Sequence, residues 1–177
     1  MAMALLIVDD DPDVLKAAAF ALSDPQTKIV TVDSPVEIEA QARGCDAVLL
    51  DMNFALGERS GGEGLDALAR LKTAYPDLSV VLMTTYGGVN LAVDALKRGA
   101  VDFILKPWRN EALSAIMTKA AQTTCDRRAE AAMTLDQLER RAIERALATS
   151  NGNLSRAAAM LGLTRPALYR RLERHGL

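Results

Sequence analysis

No stretch of the 177-residue sequence approaches the roughly 18 to 20 uncharged apolar residues that cross a bilayer as a helix. The apolar opening, Met1 to Val8, is too short for a signal peptide, lacks a basic leader, and runs straight into three aspartates. These absences set the expectation of a cytoplasmic chain with no membrane partner. Cysteine is scarce: Cys45 and Cys125 form neither a metal-ligand spacing nor a disulfide framework, and read as two reduced thiols. The single histidine, His175, has no partner nearby in sequence and reads as a helix-end cation or cap, not a catalytic group. Nothing matches G-x-x-x-x-G-K-[ST], so no ATP hydrolysis is expected.

What remains is an ordinary globular mixture, 50% hydrophobic and 25% charged, in a length that holds one medium domain and a small one. The formal net charge of -2 hides a split. Residues 1–118 carry 10 Lys and Arg against 17 Asp and Glu, whereas residues 119–177 carry 11 against 6. An acidic body and a basic tail suggest metal or phosphate handling at one end and nucleic-acid binding at the other.

Short apolar runs at Ala4–Val8, Ile29–Val32, Ala47–Leu50, Val80–Met83 and Asp102–Leu105 punctuate the first part. Several are rich in Val, Ile and Leu without alternation, the pattern of strands buried on both faces. Helical patterns lie between and after them, near 12–22, 35–42, 63–74, 88–98 and 108–120, with Gly99 as a helix stop behind Lys97 and Arg98. Five such β-α units predict an α/β fold: a doubly wound, five-stranded parallel sheet, flavodoxin-like, with helices on both faces. Residues 121–133 are polar and Ala-rich without a clear core face; they read as the fraying end of the fifth helix plus a linker, between a domain at 1–120 and a second at 134–177. In the second, Thr134 caps a helix with Gln137 as its capping-box partner, residues 151–153 turn, and helices follow over about 154–161 and 165–174.

The chemistry gathers where strands end. Asp9, Asp10 and Asp11 follow the first, Asp51 and Asn53 the third, Thr84 the fourth, and Lys106 the fifth. In a doubly wound sheet these ends converge on one crevice. Clustered carboxylates repel one another unless a cation intervenes, and a hard cation such as Mg²⁺ suits oxygen ligands. A carboxylate beside Mg²⁺ and a lysine can accept a phosphoryl group, with a Thr hydroxyl to bind its oxygen. Singly, each residue has a plainer reading: Asp11 before Pro12 is a helix cap, Lys106 before Pro107 a turn, Phe103 core packing.

The blocks Leu6 to Pro12 (LIVDDDP), Val48 to Asn53 (VLLDMN), Val81 to Thr84 (VLMT) and Gly99 to Pro107 (GAVDFILKP) resemble the signature of two-component response-regulator receiver domains, in particular the NtrC-like group. The resemblance covers about residues 3–118. It implies Asp51 as phosphoacceptor, and Asp9 and Asp10 as the acidic pair, with Asp10 the direct Mg²⁺ ligand. It further implies the backbone carbonyl of Asn53 as another ligand, Lys106 at the phosphoryl group, and Thr84 and Phe103 as the switch pair. The implied donor is a sensor histidine kinase, so the chain is expected to phosphorylate itself rather than turn over a substrate as an enzyme. The segment Phe54–Gly64 is longer than the usual loop and lacks its proline; its glycines at 57, 61, 62 and 64 favour flexibility, beside the plain reading of a surface insertion. Trp108 reads as packing against the fifth helix or as a partner surface.

Residues 154–174 read as a helix-turn-helix. Ala157, Ala158 and Leu161 make an apolar face, Gly162 permits the turn, Thr164 caps the last helix, Pro166 sits in its first turn, and Leu168 and Leu172 face inward. Arg165, Tyr169, Arg170, Arg171 and Arg174 are left to point outward or flank the core, as on a recognition helix; a solvated arginine face is the plainer alternative. Gly152 to Arg165 (GNLSRAAAMLGLTR) and Leu168 to Leu172 (LYRRL) resemble the Fis-type C-terminal domain. That implies double-stranded DNA as partner, a homodimer paired through the helix at about 135–149, and Thr164, Arg165, Arg170 and Arg171 as the best contacts. The two-domain layout is similar to that of the PrrA/RegA/ActR group, with no room for the central ATPase of larger NtrC relatives. Two other readings stay open: a dimerising adaptor that binds no DNA, and a haloacid-dehalogenase-type phosphatase, which would need an acid where Asn53 stands.

Overall fold

Residues 3–34, 36, 38–52, 62–85 and 89–177 are described by a computed structural model. The elements run β1 (Met3–Val8), α1 (Pro12–Ala21), β2 (Thr27–Val32), α2 (Ile38–Ala42), β3 (Ala47–Asp51), α3 (Gly62–Ala74), β4 (Ser79–Thr84), α4 (Val89–Lys97), β5 (Asp102–Leu105), α5 (Asn110–Ala131), α6 (Leu135–Thr149), α7 (Leu154–Met160) and α8 (Arg165–His175). They divide into two compact units, Met1–Arg128 and Ala129–Leu177.

The five strands form one sheet in the order β2-β1-β3-β4-β5, and every pairing is parallel. Every residue of β3 and β4 is buried, which explains why these strands show no alternation in sequence. Alternate residues still serve different faces. Leu6, Val8, Val48, Leu50, Val80 and Leu82 pack with Ile38 of α2, Leu65, Leu68 and Leu71 of α3, and Ala95 of α4. Leu5, Ile7, Leu49, Val81 and Met83 pack with Leu15 and Ala18 of α1 and with Leu113 and Met117 of α5. Each buried Leu or Ile contributes about 1.5–3 kcal/mol. Because β2 and β3 flank β1 on opposite sides, the strand order reverses between β1 and β3, and the carboxyl ends open a crevice there.

One boundary differs from the sequence expectation. Helix α2 is described from Ile38, with Pro35 and Glu37 outside the described residues, while α5 runs on to Ala131 as continuous helix instead of fraying beyond about 120. The supposed linker does carry a core face: Ala121 and Thr124 are buried, and the Thr124 hydroxyl accepts the Ser79 N–H at 2.9 Å. Arg128 donates to the Cys45 carbonyl at 2.8 Å and pairs with Asp46 at 3.2 Å, while Asp46 also accepts the Ala4 N–H at 2.9 Å. These bonds hold the last turns of α5 against the amino-terminal edge of the sheet. Small and polar residues there hid the packing from a reading of apolar period alone.

In the second unit, Ile143 and Ala146 of α6, Ala157 and Ala158 of α7, and Leu168 and Leu172 of α8 form a separate core. Thr134 and Gln137 make the capping box; Asn153 and Thr164 cap α7 and α8. Gly162, at φ 65°, adopts the left-handed conformation that the turn between α7 and α8 requires.

Thr124→Val keeps the side-chain shape but leaves the buried Ser79 N–H without its acceptor. The expected loss is about 1–3 kcal/mol from the α/β unit, read as a lower urea midpoint at unchanged slope. No shift would place residues 121–128 outside that unit.

Candidate functional site

Five strand-end residues meet at the crevice. Asp9 follows β1, Asp51 closes β3, Thr84 closes β4 and Lys106 follows β5, while Asp10 stands one residue past Asp9 and is exposed. The register explains the convergence: Val8 lies opposite Leu50, Asp51 opposite Met83, and Thr84 opposite Leu105. Asp9, Asp51 and Thr84 are buried. The Asp11 side chain accepts from the Asp13 N–H and caps α1, so Asp11 turns away from the cluster, while Asp9 accepts the Asp11 N–H at 2.9 Å.

The Lys106 ammonium sits between the buried acids. Its Nζ is 2.8 Å from Asp51 Oδ1 and also pairs with Asp9 Oδ2. Burial alone would pull the lysine pKa down, but the hydrogen bonds and charges of Asp51 and Asp9 outweigh it and the net shift is upward. Asp9 moves upward too: burial dominates over the opposing Lys106 and Asp11 hydrogen bonds. Asp9, Asp10 and Asp51 offer carboxylate oxygens within 4.8 Å of one another. Three acids against one ammonium leave an uncompensated negative charge, and the donors are all hard oxygens, which suits a small divalent cation.

The Lys106 N–H donates to the Thr84 carbonyl at 2.8 Å, which ties the lysine backbone to β4. Phe103 lies opposite Leu82 and is half-buried on the face of α2, α3 and α4. Trp108 packs on the other face, against the core that α1 and α5 share. Asn53 and positions 54–61 of the long loop lie outside the described residues.

One residue of this site was missed as such in the sequence. Gly64, in the first turn of α3, donates its N–H to the Met52 carbonyl at 3.3 Å. A Cβ there would stand 2.5 Å from the Met52 Cα and 2.9 Å from the Asp51 carbonyl oxygen. In sequence Gly64 reads as one of the glycines that loosen a loop; in the fold it lets α3 close onto the backbone of Asp51 and Met52. Its signal in the sequence was that it stood next to the first apolar residue of α3, Leu65, not in the loop proper.

The second unit presents α8. Thr164 accepts the Ala167 N–H at 3.4 Å as N-cap and is exposed. Arg165, Tyr169 and Arg170 are exposed as expected. Arg171 and Arg174 are not free: Arg171 Nε is 2.5 Å from Glu139, and Arg174 pairs with Glu139 and, at 3.4 Å, with Asp136. His175 stands in the last turn of α8 but has partners that its sequence neighbourhood does not show: it is buried, with Nε2 3.1 Å from Glu139 and Nδ1 3.7 Å from Asp136. The matching three-residue spacings, Asp136 with Glu139 and Arg171 with Arg174, put each pair on one helix face and were the available clue.

Parallel sheet, acidic crevice and bridging lysine define a receiver, and comparison with known proteins agrees. The chain belongs to the response regulator receiver family, whose domain model matches residues 5–118. Residues 134–175 match the Fis family of bacterial regulatory proteins. The photosynthetic apparatus regulatory protein RegA of Cereibacter sphaeroides is 32% identical over 94% of this chain and 88% of its own length. The alginate biosynthesis transcriptional regulatory protein AlgB of Pseudomonas aeruginosa is 36% identical over 58% of this chain, which spans only 22% of AlgB. Among solved structures, the receiver domain of NtrX from Brucella abortus superposes with a TM-score of 0.60 at 33% identity, covering 67% of this chain and 98% of that one. Among the described residues no helix is long and apolar enough to cross a membrane.

Two outcomes follow. Since the Lys106 pKa is raised from 10.5 in the folded chain, its ion-pair contribution is whole below about 10.5 and is lost as pH climbs through the higher folded value. Lys106→Met should therefore flatten the alkaline fall of unfolding free energy, measured by urea titration from neutral to strongly alkaline pH in chelator. Gly64→Ala, which elsewhere in a helix would be favourable, should cost about 1–3 kcal/mol by forcing the Asp51 backbone aside. A higher urea midpoint for that variant would show that α3 has room to give.

Proposed function

We propose that this chain is a DNA-binding response regulator of a two-component phosphorelay, switched by phosphorylation of Asp51. The observation that carries the reading is Lys106 Nζ held 2.8 Å from the buried Asp51 carboxylate, with Asp9 and Asp10 beside it. An Asp51 oxygen attacks the phosphorus of a phosphohistidine on a sensor kinase. The new O–P bond forms as the P–N bond breaks, and the imidazole nitrogen keeps the electron pair. Lys106 faces the phosphoryl oxygens and offsets their charge.

Mg²⁺ fits the donor set: Asp9, Asp10 and Asp51 would hold it, with the Asn53 carbonyl as a further ligand. When bound it supplies positive charge at the transferring oxygens. Asp9 keeps the lysine in place through the pairing it already makes.

A phosphoryl group adds roughly two negative charges at Asp51. In this reading Thr84 turns its hydroxyl toward them, Phe103 follows, and the surface of α4, β5 and α5 changes, which biases pairing of two copies and hence DNA binding. The receiver reading extends past 120 to Arg128, because Thr124 and Arg128 are bonded to the sheet. In the Fis-like part, Thr164, Arg165 and Arg170 contact DNA, and Arg171 and Arg174 chiefly anchor α8 to α6.

The test is selection of genomic DNA fragments by the purified chain with and without acetyl phosphate and Mg²⁺. The wild type should gain the mass of one phosphoryl group and change its enrichment; Asp51→Asn should do neither. Phosphorylation without enrichment in either condition would leave an adaptor that binds no DNA.

A further inference from the structure

On α8 the cations are unequally committed. Arg171 and Arg174 pair with Glu139 and Asp136 of α6, and Arg171 also donates to the Ala167 carbonyl at 3.2 Å. Among the described residues, Arg165 and Arg170 have no acidic partner. Arg165 has another one: its guanidinium carbon lies 5.7 Å from the centre of the Tyr169 ring, and Nη2 donates to the Tyr169 hydroxyl at 3.4 Å.

The pair sits where it matters. Arg165 is the first residue of α8, directly after the Thr164 cap, and Tyr169 stands one helical turn later on the same face. The amino-terminal residues of a recognition helix are those that reach base edges. An unrestrained arginine must lose its rotamer freedom on binding, and a guanidinium already stacked and hydrogen-bonded loses less. One Nη2–H engaged by the tyrosine leaves the other Nη2–H and the Nη1 hydrogens for two parallel donors, the fork that matches O6 and N7 of guanine.

We propose that Tyr169 is a positioning residue. It orients Arg165 for bidentate recognition of a guanine in each half-site and does not itself read a base. The inference rests on the DNA-binding reading above. It makes base preference at one position depend on a residue that touches no base, and it leaves Arg170 to grip phosphate.

The experiment is selection of full-length chain on a randomised duplex library, followed by affinity for the selected site and for the same site with that guanine replaced. Wild type should prefer guanine at one position per half-site. Arg165→Ala should lose that preference. Tyr169→Ala should lower it by about two- to fivefold, the scale of an exposed cation–π contact, with no change at other positions or on unselected DNA. Tyr169→Phe, which keeps the ring, should fall between. The double variant should be no worse than Arg165→Ala alone. Guanine preference that survives Tyr169→Ala, or losses that add in the double variant, would overturn the positioning role while DNA binding stands. Absence of enrichment by the wild type would overturn the DNA reading and this one with it.

Discussion

The ion triad of Lys106 with Asp9 and Asp51 is the constraint from which the rest of the α/β unit takes its meaning. Two carboxylates out of water beside a third at the surface would repel, and burial already pushes Asp9 toward its protonated form. The lysine makes the arrangement tenable, and it can do so only because β1, β3 and β5 are parallel and end at the same edge. Sheet topology, full burial of the central strands and the tie between Lys106 and the Thr84 backbone all fix where one ammonium stands. A site assembled this way is poised: in the proposed phosphoryl transfer the incoming charge would meet a cation whose place is already set, so little reorganisation would be required.

Much of this was legible in the amino-acid order. Unalternating Val, Ile and Leu runs marked buried strands, and an acid or a lysine at the end of several of them marked one crevice. The caps at Asp11, Thr134 and Thr164 were equally readable, since a short polar side chain before a periodic run has few other uses. What escaped was packing that uses no apolar side chain. The end of α5 is held by Thr124 and Arg128, and nothing in apolar periodicity reports a hydroxyl that accepts a strand N–H. Gly64 escaped for a similar reason: its contribution is the absence of a Cβ, which composition shows only as looseness.

Electrostatics across sequence distance was the other blind spot. His175 looked solitary because its partners lie 36 and 39 positions upstream, on α6. The same acids engage Arg171 and Arg174, so residues that look like a uniform basic face split into acid-paired anchors and cations that face no acid. The three-residue spacings hint at the pairing, and the approach of α8 to α6 fixes it.

That division changes how the tail meets a polyanion. Its excess of arginine suggests a strong, indiscriminate pull on any duplex, yet two guanidinium groups already face carboxylates and displace few counterions when a phosphate approaches. In the proposed DNA-binding role, non-specific attraction would thereby be muted relative to the formal charge, and discrimination would fall to the few guanidinium groups that face no acid.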